Sequence, residues 1–369
     1  MTYKILTYDE IDKLEWGRLV RESETGTWFQ SPEAYAFFST QTDVMEPFVF
    51  GLQQSAISHQ TLRAVCVGYV TKERSRLKQF FTRRAIIQGG VCLADDATNE
   101  EVEILLKRVS ELAISELGKP IYIETRNFED YSQWKEAFER AGFEYKKHLN
   151  FHIDCTDKEA MWERLSEVRR RQVKKASATV SLNDAAMLPN EPQASLLNDE
   201  NDVRAWYAIL EKLYRTRVKT PLFPETFFLE AYRQGIAKYL LVKYEGKVIG
   251  GMMIVELTSE RINELTNERR GCVYEWYICG LDTEYKEKYP SVMATWAAME
   301  YANEHGLARF DVMGAGVPGV PYGVRDFKAE FGGKLVEQGR FLCVCKPWLY
   351  RLGTFVVKLM KRRKQIKPF

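Results

Sequence analysis

The stretch best suited to chemistry is FDVMGAGVPGVPYGVRDFKAEFGG, residues 310–333. A strand-like run enters a loop carrying Gly314, Gly316, Gly319 and Gly323 with Pro318 and Pro321. A short helical segment follows and closes on Gly332-Gly333. Glycines let a backbone take positive φ and approach a ligand closely, and prolines limit its other conformations. The combination suits a loop that admits a peptide-like ligand yet stays ordered. Lys328 sits between Phe327 and Phe331, which are four residues apart and so share a helix face. Fixed on a core by that pair, the Lys328 ammonium can serve an oxyanion developing in acyl transfer, or a phosphate. The competing reading is a solvated lysine beside a plain connection.

Other groups carry chemistry at lower specificity. Glu124, in IYIETRN, stands at a strand end; it reads as a site carboxylate, as a cap on a neighbouring amide, or as a partner of Arg126. Glu275 and Tyr277 flank Trp276 on a central strand, where alternation sends both to one face. A carboxylate buried there has a raised pKa and can act as a base; a structural ion pair is the other reading. The helical VRAWYAILEKLYRTRVKT ends in Tyr214, Arg215, Arg217 and Lys219. These basic residues either complement the helix dipole in water or bind substrate phosphate. MWERLSEVRRRQVKKAS, residues 161–177, has six basic residues against two acidic. Its Arg169, Arg170 and Arg171 read as a solvated face or as contacts to nucleic-acid phosphates.

The elements that must position these residues repeat. Residues 102–153 read helix, Gly118, strand IYIETRN, short helix, Gly142, strand FEYKKHLNFHI. Residues 292–345 read helix, Gly306, strand RFDVM, the glycine loop, short helix, Gly332, strand KLVEQGRFLCVC. Gly118 to Gly142 spans 24 residues and Gly306 to Gly332 spans 26. Each half also has upstream strands, and YEGKVIGG reads as a hairpin turning on Glu-Gly. The expected fold is α/β: two copies of one mixed sheet flanked by helices. The expected division is 1–157, then 158–346 with the FKxxFGG motif, then a basic C-terminal helix over 347–369.

Composition narrows the function. At 369 residues, two domains are the default. A net charge of +2 advertises no nucleic-acid field. Seven cysteines without CxxC and four scattered histidines show no metal spacing. No run reaches membrane-spanning length, so a cytoplasmic protein is expected. Residues 346–369 hold eight basic residues and no acidic one, with apolar residues at helical spacing. That tail suits peripheral contact with the inner face of a membrane, or packing on its own domain.

Helix–Gly–strand–loop–helix–Gly–strand after a hairpin resembles the GNAT acyltransferase unit. Two tandem copies, the RRRQVKKA helix and DVMGAG…YGVRDFKAEFGG resemble the FemABX family over residues 25–345, and GTWFQSPEAYAFF looks like that family's start. The resemblance implies transfer of an amino acid from aminoacyl-tRNA to an amine of a peptidoglycan precursor, lipid-linked or nucleotide-linked. It implies catalytic roles for Lys328, Phe327 and Glu124. It implies precursor contacts at Arg217 and Tyr214 and, beside them, Lys219, Tyr322, Arg325 and Glu275. Arg169, Arg170 and Arg171 would meet tRNA. The sequence departs from the family in two places: no lysine follows FQ in QSPEAYAFFSTQTDVMEPF, and the family's lysine doublet is Lys328-Ala329 here.

No cofactor is expected. A CoA-binding unit cradles pyrophosphate at a helix N-terminus with a glycine-rich loop. The equivalent stretch, CGLDTEYKEKYPSVMATW, has one glycine and carries Asp282, Glu284 and Glu287, which repel an anion. The competing readings are an acyl-CoA-dependent N-acyltransferase on a sugar or peptide amine, and a binding protein that keeps the duplicated fold without catalysis.

Overall fold

The computed structural model describes residues 2–55, 60–73, 75–115, 119–178, 181–183, 199–258 and 271–355. The chain divides into two compact units, Met1–Lys147 with Gln338–Phe369, and His148–Glu337. Each holds one mixed sheet flanked by helices. The strands are β1 (Thr2–Leu6), β2 (Met45–Ser55), β3 (Gln60–Thr71), β4 (Ala85–Gly89), β5 (Cys92–Leu93), β6 (Tyr122–Asn127), β7 (Glu144–Lys146), β8 (Leu149–Asp154), β9 (Ser181–Asn183), β10 (Lys238–Tyr244), β11 (Lys247–Leu257), β12 (Cys272–Gly280), β13 (Arg309–Asp311), β14 (Lys334–Glu337) and β15 (Arg340–Val344).

The first sheet runs β1-β2-β3-β4-β6-β15-β7, with β5 paired to β3; the second runs β9-β10-β11-β12-β13-β8-β14. The two orders match place for place. In each, the parallel pair among the described strands falls at the same place, β4 with β6 and β12 with β13. This is the duplicated α/β unit that the sequence order implies.

The sequence predicts FEYKKHLNFHI and KLVEQGRFLCVC as one strand each, and each proves to be two. β7 stays in the first sheet while β8 pairs with β13 and β14 in the second. β14 stays in the second while β15 pairs with β6 and β7 in the first. The units thus exchange their penultimate strands, so β8 lies before a cut at residue 157 yet belongs to the second sheet. Alternation in LNFHI reports that Phe151 and Ile153 face a core; it carries no record of which core.

Local chemistry explains the supporting elements. Helix Asn99–Ser115 buries Val102, Leu105, Leu106 and Val109 against Ile123, Phe138 and Phe143; the expected stop at Gly118 lies outside the described residues. Helix Pro290–Glu304 is apolar nearly all round and sits within the second core with Phe310, Val312 and Phe331, as such a helix must. The β10–β11 hairpin turns on Glu245 (φ 50°) and Gly246 (φ 74°), the two positive angles a tight primed turn needs. Residues 347–355 are helical; the rest of the expected basic helix lies outside the described residues. Among the described residues no helix is long and apolar enough to cross a membrane.

Candidate active site

Helix Gly323–Ala329 carries Lys328 inward, leaving it 6% exposed. Its Nζ lies 2.7 Å from Glu275 Oε1 and donates to the carbonyls of Val312 at 2.6 Å and Gly314 at 3.1 Å. A lysine has three donors, and all three are used within the second unit. The ammonium expected to face substrate is thus held by three partners of its own unit. A phosphate or oxyanion would have to displace one of these partners. The physical reason is local: Phe331 is fully buried, and the loop after β13 turns two carbonyls toward the same spot.

Glu275 is itself buried. Burial pushes its carboxyl above the ordinary carboxylate range, Lys328 pulls it back, and nearby Asp311 adds to the rise. Asp311, fully buried, moves the other way. Burial alone would raise it, but bonds and charge from His152, Arg309 and Asn150 hold it below the usual range. Its Oδ1 accepts from Asn150 Nδ2 at 2.8 Å and from the Met313 amide at 2.7 Å, and Oδ2 lies 3.2 Å from His152 Nε2. Asn150 Oδ1 in turn accepts from the Gly314 amide at 2.8 Å. Two carboxylates with opposed shifts are the arrangement from which acid–base roles are built. The sequence reading passed over Asn150, His152 and Asp311; the signal was a lone acid inside the apolar run RFDVM.

The glycine loop is held from both sides. Met313 (φ 53°) and Gly316 (φ 78°) lie in the left-handed region, and a Cβ on Gly316 would come within 2.9 Å of the Tyr322 ring. Arg325 donates to the carbonyls of Ala315 at 2.8 Å, Val317 at 2.5 Å and Val320 at 3.1 Å. Arg325 is therefore a brace for the loop, while Tyr322, Val317 and Val320 are exposed. Arg325→Ala is expected to cost about 1–3 kcal/mol, because three carbonyls lose one planar donor, and Arg325→Lys should recover little of it. Melting curves check this; an unshifted transition would contradict the bracing role.

Phe327 is half-buried, and Arg169 covers part of its ring. The Arg169 guanidinium lies 4.5 Å from the Phe327 ring and 5.5 Å from Phe331. Its Nε lies 3.2 Å from Glu330 Oε2. Arg169 is buried and packs the FKxxFGG motif onto helix Glu167–Ser177. It leaves the solvated triplet, in which Arg171 is exposed and Arg170 half-exposed. Gly332 (φ 77°) closes the motif where a Cβ would strike the Arg164 carbonyl at 2.6 Å.

Tyr214, Arg217 and Lys219 lie where helix Glu200–Leu213 widens into a π turn, Tyr214–Val218, a feature frequent at functional sites. The Tyr214 ring centroid is 6.2 Å from that of Tyr277, two residues along β12 from Glu275. Arg215, Arg217 and Lys219 are exposed, and no carboxylate among the described residues pairs with them. The expected alternation across Glu275-Trp276-Tyr277 fails, because the register slips by one there. Trp276 and Tyr277 both meet helix Glu225–Arg233, at Phe227 (5.5 Å) and Phe228 (5.0 Å). Such a bulge re-aims side chains and interrupts pairing.

Glu124 belongs to the first unit. It pairs with Arg126 at 2.9 Å and Arg340 at 3.0 Å. Burial works to raise its carboxyl, the two guanidiniums outweigh it, and the net shift is downward. The sequence foresaw the Arg126 partner; Arg340 arrives with the exchanged strand β15. In the second unit, Lys328 pairs with Glu275, Arg169 packs on Phe327 beside them and Arg325 braces the loop, while Tyr214 meets Tyr277 and, through it, the aromatic face of helix Glu225–Arg233.

Helix Pro290–Glu304 presents its N-terminus beside Asp282, whose Oδ1 accepts from the Ser291 amide at 3.1 Å and Oδ2 from the Ser291 hydroxyl at 2.6 Å. In the first unit, Glu101 Oε2 accepts from the Thr98 amide at 2.7 Å, while Thr98 Oγ1 accepts from the Glu101 amide at 3.3 Å, a capping box. Both helix ends are thus occupied by carboxylates. No cluster of metal-ligating side chains occurs among the described residues.

The fold is that of the acyltransferases. The crystal structure of FemX superposes with a TM-score of 0.66 at 13% identity, covering 95% of this chain and 99% of FemX. A tandem GNAT protein from the clavulanic acid biosynthesis pathway gives 0.52 at 10% identity, covering 92% and 98%. Saccharomyces cerevisiae N-myristoyltransferase gives 0.50 at 9% identity, covering 93% and 80%. Residues 269–358 match the FemAB family, and the likeness to FemX in fold extends along 95% of the chain. No curated protein sequence matches it.

Proposed function

We propose that the protein moves an amino acid from aminoacyl-tRNA to an amine of a peptidoglycan precursor. One observation carries this reading: the FemAB match, residues 269–358, spans Glu275, Asp311, the glycine loop and Lys328. In the proposed reaction the amine nitrogen attacks the ester carbonyl and loses a proton, and the ribose hydroxyl leaves with one. Glu275, with its raised pKa, is the group suited to take the amine proton. Lys328 acts as a positioning residue that holds Glu275 and the loop together. Phe327 and Arg169 seat the lysine's helix, and Arg325 braces the loop. Tyr214, Arg217, Lys219 and Tyr322 contact the precursor; Arg170 and Arg171 contact tRNA. Glu124 acts in the first unit as an ion-paired anion. The reaction places the protein in the cytoplasm.

The carboxylate caps at both helix ends favour tRNA over acyl-CoA as donor, because a capped, negative N-terminus disfavours a pyrophosphate. Precursors extracted from a strain lacking the gene test the reading. They should lack the mass of one or more aminoacyl residues that reappear on complementation. Unchanged precursor masses, or an acyl group that is no amino acid, would overturn it.

A further inference from the structure

The first unit carries two apolar stripes that its core does not use. In helix Arg76–Thr82, Leu77, Phe80 and Phe81 are exposed, at a spacing that puts them on one face. In the helix over 347–355, Leu349 is buried and anchors the element, while Trp348, Leu352 and Phe355 are exposed, the two aromatics at 60% each. Their spacing again defines one face. The stripes meet where the Phe80 and Trp348 ring centroids stand 6.1 Å apart. A soluble monomer rarely leaves so many large side chains together in water.

The charge around this face is mostly positive. Lys346 Nζ lies 5.9 Å from the Phe80 ring. Burial lowers its pKa, and Arg83 and Lys119 lower it further, so three cations crowd here; Glu46 answers Arg83 alone, at 2.6 Å. Arg351 is exposed on the Trp348 helix. Outside the described residues, the sequence of 356–369 has six basic residues and no acidic one. A two-fold contact between copies would set these cations against themselves. A surface of lipid phosphates answers both the charge and the aromatics.

We propose that Phe80, Phe81, Trp348, Leu352 and Phe355 dock the protein on an anionic lipid bilayer, with the flanking lysines and arginines meeting lipid phosphates. The proposal stands independently of the transfer reaction. Its test is co-sedimentation of the full chain with vesicles of phosphatidylcholine, with and without phosphatidylglycerol. The wild type should bind the anionic vesicles far better, and added salt should release it. Phe80→Glu/Trp348→Glu should weaken partitioning by about tenfold or more at an unchanged melting temperature. Leu352→Ser/Phe355→Ser gives a second reading should the first variant misfold. Three results would overturn the proposal: no binding by the wild type, undiminished binding by correctly folded variants, or a wild-type dimer that these substitutions dissolve.

Discussion

Lys328→Met is expected to destabilise the second unit by about 3–5 kcal/mol, the usual cost of stranding one member of a buried ion pair. The stranded partner is Glu275, 2.7 Å away. Two backbone carbonyls lose their donor as well. Lys328→Met/Glu275→Leu should recover most of the loss, because an apolar pair of similar volume often replaces a buried ion pair without penalty. The pH dependence follows from Glu275. Its folded pKa is raised, and losing Lys328 raises it further. A carboxyl so raised stabilises the fold below its unfolded pKa, and that stabilisation is lost as pH climbs through the folded value. The single variant should therefore be weakest at high pH and recover as pH falls toward about 4–5. Denaturant melts of the single and double variants across that range measure this. Parental stability of Lys328→Met at every pH would show that the pair contributes nothing.

Charge reversal at Arg217 is expected to have the largest effect on substrate affinity. Arg217 is exposed on the π turn with no carboxylate partner among the described residues, so Arg217→Glu should leave the melting temperature unchanged. Charge-assisted bonds to phosphate contribute about 1.5–3 kcal/mol each, so KM for a phosphorylated precursor should rise by about tenfold to hundredfold while kcat moves little. Arg217→Lys should restore much of the affinity if only charge is read, and less if the phosphate is gripped by the planar fork. A KM unchanged by Arg217→Glu would remove this residue from the precursor site.

The fold was legible because its signals are local and repeated. Glycine stops after amphipathic helices, the Glu-Gly hairpin and near-equal spacings in both halves implied a duplicated α/β unit. The exchange of β8 and β15 was hidden, since an alternating strand satisfies either core equally well. The candidate site was legible as a set of residue types and illegible as a set of contacts. Lys328 stands out in the motif, yet its partners, Glu275 and the Val312 and Gly314 carbonyls, are assembled by the fold. Arg169 looked like one of three solvated charges, and only the packing of two helices shows it against Phe327 and Phe331. Gln30, inside the quoted FQ segment, bridges Val67 and Gln88 with its amide at 2.9 Å each; nothing in its spacing announced that. Asp282 was read as repelling an anion, and it proves to fill the helix end itself.

The donor decides between the two acyl-transfer reactions. A single-turnover assay with purified protein, precursor and tRNA charged with radiolabelled amino acids tests it most directly. Label should move from tRNA to precursor, without CoA and at a rate unaffected by added CoA thioesters. Label that stays on tRNA while an acyl-CoA delivers its group to the same precursor would contradict it.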